Sequence, residues 1–471
     1  MINKIKSLDI RTVFLAVLFF ILGFIFFYQL GLRPLLDYDE SIYAQVAREQ
    51  LEQPSTAFTW KGNISLYRNQ LWFEKPPLML WLIESAFFVF GINEFAARFW
   101  VAVFAFATII LTFFVVKKTF KSVPAAMLAT SVYLISFQYL YFAGVLQFDI
   151  PAAFFILLAL FTFQQSWQRP KFLYFFWISL ALGVMVKSVI GLLPLLIVGV
   201  FQLIILDFKL FKSKEFWGGA SIFALIVLPW HILQSILYGK LFWQQYLFYH
   251  LLGRFNTTLE NNGGNFWYYW QILVQHKLLG ALSAVSFLFF LSQIRKREYL
   301  FYLVSVAVIF VFFSLSKTKL PAYFLVAYPV LAIIGGVFLN KLIERLFVLN
   351  KIIGKILATA IILSFLFFGF RYSVYKWGIN KNPELLDSKS LGIFLKENYS
   401  EYPLYYFSLI GTKPSMIFYS NRIIFRLSEE SPNRPSSGYI LVQLATKSQD
   451  SLTLNSKVIF QNNNYVAYLI E

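Results

Sequence analysis

The sequence predicts a polytopic α-helical membrane protein, with about eleven to thirteen transmembrane helices, ending in a small α/β domain outside the cytosol. Three observations carry this expectation. Hydrophobic residues make up 59% of the 471 and charged residues only 14%. The apolar residues come in blocks of bilayer length, not spread as a soluble core would spread them. Short basic loops separate the blocks.

The formal charge of +18 belongs to those loops. Lysines and arginines gather at the ends of apolar segments, where topology-setting charges sit, and this argues against a nucleic-acid partner. There is no cysteine, so disulfides and thiol chemistry are excluded, and a domain outside the cytosol folds without such staples. The first apolar block, Thr12 to Leu30, is too long for a signal h-region and lacks a small-residue cleavage site, so it reads as a retained anchor. Lys4, Lys6 and Arg11 put the N-terminus in the cytosol and the Arg33 to Lys75 loop outside. Lys117-Lys118 with Lys121, Arg169 with Lys171, Lys209 to Lys214, Arg295 to Arg297, and Lys341 through Lys355 mark the later cytosolic connections.

Candidate spans lie near 99–116, 123–143, 150–166, 172–187, 189–206, 217–237, 272–293, 299–315, 320–340 and 354–371. Leu78 to Phe90 is short, bounded by Pro76-Pro77 and Gly91, and carries Glu84, so it reads as an interfacial or re-entrant helix. Parity then puts the C-terminus outside. From Gly378 the composition turns polar: Pro383 to Asn398 has helical character, and 404–408, 422–426, 439–444, 457–461 and 465–470 have strand character. The chain thus divides into a membrane domain, 1–377, with outer loops 31–98 and 238–271, and a C-terminal domain, 378–471.

The polar residues of the membrane domain collect on the outer side. They are the cluster Asp37-Tyr38-Asp39-Glu40; Glu74 and Lys75 in Phe73-Glu74-Lys75-Pro76-Pro77; Asp149 before Pro151; Lys187; His250 and Arg254; and Lys317, Lys319 and Tyr323 in Ser316 to Tyr323. Charge beside lipid is costly, and carboxylates facing several cations suit an anionic substrate whose reacting end needs a base. Each group also has a structural alternative. Asp37 and Asp39 can cap the helix beginning near Ser41, Asp39 being set apart by its neighbours. Lys187 can be a snorkelling anchor, Lys317 and Lys319 interfacial charges, and His250 with Arg254 a pair for lipid headgroups. Phe266 to Trp270 reads as an interfacial aromatic belt. No Gly-rich nucleotide loop and no metal-ligand spacing is present, so no cofactor is required, and a divalent metal is left open without being indicated.

Taken together, Asp39-Glu40-Ser41-Ile42-Tyr43-Ala44, the Phe73 to Pro77 element, Asp149 before a proline, Lys187, His250 to Phe255 ahead of Trp267-Tyr268-Tyr269, and Ser316 to Tyr323 resemble a known family. It is that of GT-C integral-membrane glycosyltransferases in the dolichyl-phosphate-mannose-protein mannosyltransferase-like group, nearest the lipid A aminoarabinose transferases. The resemblance runs in matching order from residue 30 to about 335. It implies a GT-C fold with an outward cavity for a polyprenyl-phosphate sugar, and transfer of that sugar with inversion. It maps the first-loop and second-loop catalytic aspartates onto Asp39 and Asp149, with Glu40 beside the first. Phosphate-contacting and substrate-binding roles map onto Lys75 with Glu74, Lys187, His250 with Arg254, Lys317, Lys319 and Tyr323. Two departures stand out: Ser188 replaces the usual glycine after Lys187, and Tyr249 replaces the acidic residue before the family histidine. The C-terminal domain shows no recognised match.

The chemistry is consistent with that mapping. A lipid-phosphate sugar carries its own leaving group, so cations and one carboxylate suffice. The expected function is therefore a glycosyltransferase in the bacterial inner membrane. It moves a single sugar from an undecaprenyl-phosphate-type donor to a lipid, glycan or protein acceptor on the outer face. The alternatives are a transporter or flippase for a lipid-linked or anionic substrate, disfavoured because no inverted repeat is apparent, and a ligase of pyrophosphate-linked glycans.

Overall fold

The structure, a computed structural model, describes residues 20, 23–24, 26–28, 30–52, 66–68, 70–259, 261–379, 382–407, 413–427, 437–445 and 456–471. By packing, the chain forms two units. One comprises Met1–Tyr28, Phe73–Met79 and Val101–Val374, the other Gln29–Trp72, Leu80–Trp100 and Tyr375–Glu471.

Among the described residues, seven helical runs are long and apolar enough to cross a bilayer. They become eight if Tyr268–Gln275 and Lys277–Ser292, bent by 119°, form one crossing. The expected spans at 99–116, 150–166, 217–237, 299–315 and 354–371 fall inside helices Glu94–Phe120, Asp149–Ser166, Lys214–Trp243, Arg297–Leu315 and Lys351–Ile379. The first expected block lies largely outside the described residues. Leu78–Phe90 is a helix of 13 residues, about 20 Å long and short of the roughly 30 Å apolar layer.

Three expected spans are broken by local chemistry. Residues 123–143 become helix Val123–Val132, a 3₁₀ turn and helix Phe137–Phe142; Ser122 caps the first by accepting the Ala125 N–H at 3.2 Å. Residues 172–206 form two helices, Phe172–Lys187 and Leu193–Ile205, joined by a 3₁₀ turn. There the chain folds back, bringing the Gly191 Cα to 3.3 Å from where a Gly183 Cβ would stand, a backbone approach that needs two glycines. Residues 320–340 open with a 3₁₀ turn, Pro321–Ala327, before helix Tyr328–Leu349.

In the second unit, helix Asp39–Glu52 precedes a small hairpin of β1 (Leu66–Tyr67) and β2 (Gln70–Leu71). The C-terminal residues form β3 (Leu404–Phe407), β4 (Ile424–Leu427), β5 (Tyr439–Leu444), β6 (Ser456–Gln461) and β7 (Tyr465–Ile470) in the order β4-β3-β5-β7-β6. β3 runs parallel to both β4 and β5, and the β5-β7 and β7-β6 pairings are antiparallel. Leu391 and Leu395 of helix Pro383–Asn398, with Ile417 of helix Pro414–Ser420, pack on Leu404, Ile440 and Val442 to make the core.

Candidate functional site

In the first unit, antiparallel helices bring two opposite charges to one end. Asp149 opens helix Asp149–Ser166, Lys187 closes helix Phe172–Lys187, and a short connection joins the two. A carboxylate at a helix N-terminus and an ammonium at a C-terminus each complement the local dipole. Lys187 Nζ lies 2.5 Å from Asp149 Oδ1, with both side chains largely buried. The ammonium also stands 5.0 Å from the centre of the Tyr323 ring.

Tyr323 links this pair to a second group, because its hydroxyl accepts a hydrogen bond from Arg254 Nη1 at 3.1 Å. Arg254 begins a single helical turn after the π-helical stretch Gln244–Gly253, which carries His250. His250 Nε2 is 4.0 Å from Glu74 Oε1, and Lys75 Nζ is 4.0 Å from Glu74 Oε2. The charges of Lys75 and Arg254 both reach His250. Phe73 anchors the Glu74-Lys75 pair: it is buried, with its ring centre 5.0 Å from that of Tyr238 and 5.5 Å from that of Phe242.

Seven of the sequence-predicted residues therefore lie in one connected patch: Glu74, Lys75, Asp149, Lys187, His250, Arg254 and Tyr323. Lys75, Lys187 and Arg254 face two carboxylates, Glu74 and Asp149, which leaves one positive charge in excess with His250 neutral. A half-buried, net-positive patch of this kind is suited to a phosphate monoester.

The late motif divides its labour. The Lys317 and Thr318 N–H groups donate to the Phe255 and Arg254 carbonyls, each at 3.0 Å, and Lys319 N–H donates to the Asn262 carbonyl at 2.8 Å. The Thr318 hydroxyl donates to the Thr257 carbonyl at 2.7 Å. The loop thus fixes the backbone on which Arg254 rides. Lys319 does not add its charge to the patch. Its ammonium is buried and donates to the carbonyls of Phe313, Ser314 and Ser316 at 3.3, 2.8 and 2.6 Å, capping helix Arg297–Leu315. Burial draws its pKa below the usual lysine range. Lys317 is exposed.

The expected aromatic belt also divides. Tyr269 is fully buried against Phe313 and Phe324, whereas Phe266, Trp267 and Trp270 are exposed.

The acidic cluster belongs to the second unit. Asp39 is partly exposed and is the first residue of its helix, just after Tyr38 at φ 65°. Glu40 is corrected from a catalytic to a structural residue. It is 1% exposed, and its oxygens accept from Arg98 Nε and Nη2 at 2.7 and 2.8 Å and from the Leu36 N–H at 2.8 Å. Burial works to raise its pKa, but the Arg98 charge and hydrogen bonds, with Arg33, hold it at about 2. Asp37 does not cap its own helix; its Oδ1 accepts the Ser415 N–H at 3.0 Å, at the start of helix Pro414–Ser420.

Sequence reasoning missed Arg98, whose only signal was an arginine set among apolar residues just after Glu94. It also missed the meaning of Ser188. That residue stands at φ 50°, ψ −134°, a conformation natural to glycine, and this accounts for the glycine usual in the family.

Comparison with known proteins agrees with this geometry. The profile of the family Dolichyl-phosphate-mannose-protein mannosyltransferase matches residues 16–243. The crystal structure of ArnT from Cupriavidus metallidurans bound to undecaprenyl phosphate superposes with a TM-score of 0.74 at 19% identity, covering 97% of each chain. This chain has the GT-C fold. The likeness that the motifs carried to residue 335 extends through the C-terminal domain of the GT-C chain. An uncharacterised protein of Aquifex aeolicus is 28% identical over 337 residues, 70% of this chain and 64% of that one. Undecaprenyl phosphate-alpha-4-amino-4-deoxy-L-arabinose arabinosyl transferase 1 of Pseudomonas fluorescens is 26% identical over 384 residues, 77% of this chain and 66% of that one. The GT-C chain therefore spans a little under two thirds of the length of these relatives.

Proposed function

We propose that the chain is a membrane glycosyltransferase moving a single sugar from a polyprenyl-phosphate donor of the undecaprenyl type to a lipid, glycan or protein acceptor on the outer face of the bacterial inner membrane. One observation carries the reading: Lys75, Lys187 and Arg254 gather around Tyr323 in a half-buried patch. The Cupriavidus protein, which shares the fold, holds undecaprenyl phosphate.

In the proposed reaction an acceptor hydroxyl attacks the anomeric carbon as the bond from that carbon to the phosphate oxygen breaks. The bond electrons leave with the phosphate, and the three cations stabilise the charge that develops there. Asp39 takes the hydroxyl proton. Asp149 keeps Lys187 charged and oriented. The N-terminus is assigned to the cytosol and the C-terminal domain to the outer side, so reporters fused after Glu471 and near Lys296 should read opposite sides.

The reading is tested by binding of undecaprenyl phosphate to the purified protein. Lys75→Ala and Arg254→Ala should each weaken binding at least about tenfold while leaving the protein folded, since each removes a charge-assisted contact. Wild-type affinity in both variants would remove the patch from the reaction.

A further inference from the structure

The chemistry assigned to Asp39 needs a fixed backbone, and the residues that fix it come from far along the chain. Between Leu30 and Glu40 there is no regular structure, and the turn ends on Tyr38 at φ 65°. A non-glycine residue in that region costs on the order of 1–3 kcal/mol and persists only where its surroundings over-determine it. Here they do so from two directions.

From one side comes the first turn and a half of helix Glu94–Phe120. Arg98, 1% exposed, donates to the carbonyls of Leu30 and Arg33 at 2.7 Å and of Pro34 at 2.9 Å, besides gripping Glu40. From the other side comes the C-terminal domain. The Tyr419 hydroxyl accepts the Leu35 N–H at 2.8 Å and donates to Glu94 Oε1 at 2.9 Å, and the same oxygen takes Lys389 at 2.5 Å. Lys413 Nζ lies 3.5 Å from Asp37 Oδ2 and 2.8 Å from Glu384 Oε1, while Asp37 Oδ1 accepts the Ser415 N–H. Asp37, Tyr38 and Asp39 are consecutive, so a tether on the first sets the backbone entering the third.

We propose that the C-terminal domain is the positioning element for Asp39, with Tyr419 and Lys413 closing on the 33–38 turn that Arg98 holds from the other side. The inference rests on the reading of Asp39 as the residue working on the acceptor. It gives the domain a task beyond acceptor recognition: holding the turn in register for turnover. Tyr419 and Lys413 are positioning residues, since each acts through the turn.

The test uses the full chain carrying Tyr419→Phe, Lys413→Met or Lys413→Arg, with Asp39→Asn as reference. Two properties are read: steady-state transfer from a polyprenyl-phosphate sugar, and backbone hydrogen exchange of the 31–42 segment. Tyr419→Phe and Lys413→Met should lower kcat on the order of tenfold with the donor KM within about twofold, because a small misplacement taxes the reacting geometry and not donor binding. Exchange of the Leu35 and Leu36 amides should quicken in both variants. Lys413→Arg, which keeps the charge on Asp37, should restore both properties. Unchanged exchange in Tyr419→Phe and Lys413→Met overturns the clasp, and faster exchange with kcat within twofold of wild type overturns its positioning role. A wild-type chain that transfers no sugar overturns the proposed function instead, and the exchange measurement still decides the clasp by itself.

Discussion

Replacing Glu40 by Gln separates a structural role from a catalytic one. Glu40 is 1% exposed and its oxygens take Arg98 at 2.7 and 2.8 Å and the Leu36 N–H at 2.8 Å. Burial alone would push the carboxyl up, but the Arg98 charge and hydrogen bonds, then Arg33, hold it at about 2 against an ordinary 4.5. That separation corresponds to about 3 kcal/mol of folded-state stabilisation. The folded-state pKa is depressed, so the contribution is complete above about pH 4.5 and is lost as pH falls toward 2. Glu40→Gln cannot titrate and leaves Arg98 buried beside an amide. It should be less stable than wild type by about 3–5 kcal/mol at pH 7, and the gap should narrow steadily below pH 4.5. Unfolding in detergent followed from pH 7 to pH 3 reads both features. Stability curves that stay parallel across that range would refute the reasoning. Turnover per folded molecule should stay within about threefold of wild type, because no step of the proposed chemistry uses this carboxylate.

Asp39→Asn should fold, bind undecaprenyl phosphate and transfer sugar at least about a hundredfold more slowly, since the amide keeps the size but cannot act as base; a variant of near-normal rate would move the base elsewhere, with Asp149→Asn the next to assay. Lys319→Met should lower thermal stability by about 1–3 kcal/mol by stripping a donor from three carbonyls, while donor binding holds; lost binding without lost stability would return Lys319 to the phosphate site. Ser188→Gly should fold and turn over as wild type does, and Ser188→Val should destabilise by at least about 2 kcal/mol because a β-branched residue resists φ 50°; equal melting temperatures for the two would contradict the strained turn.

Much of the fold is legible because membrane segments and strands announce themselves locally. The five C-terminal strands and helix Pro383–Asn398 fall within two residues of the segments their alternation or apolar runs marked. Helix Pro414–Ser420 was missed: it is seven residues long and wholly buried, so it carries no amphipathic signal. The breaks at Ser188 and Tyr133 were also illegible, since both lie in continuous apolar sequence, where hydropathy cannot tell a helix from a turn. At the site, residue type identified which charges had work to do, but only geometry assigned the work. Lys187 and Lys319 look alike in sequence, each a lysine beside an apolar segment. One meets a carboxylate and an aromatic face, and the other caps a helix. Glu40 and Asp39 are adjacent, yet helix geometry turns one inward to Arg98 and leaves the other partly exposed. Arg98 was invisible because its partners, three backbone carbonyls, have no sequence signature.

The central claim is single-sugar transfer from a lipid phosphate. Its most direct test is to incubate the purified chain with an undecaprenyl-phosphate sugar and a lipid, glycan or peptide acceptor fraction, and to weigh both products by mass spectrometry. The predicted result is undecaprenyl phosphate released in equal amount to an acceptor heavier by one sugar, with neither product formed by Asp39→Asn. Donor that binds and is recovered intact, or an acceptor that gains an oligosaccharide, would contradict it.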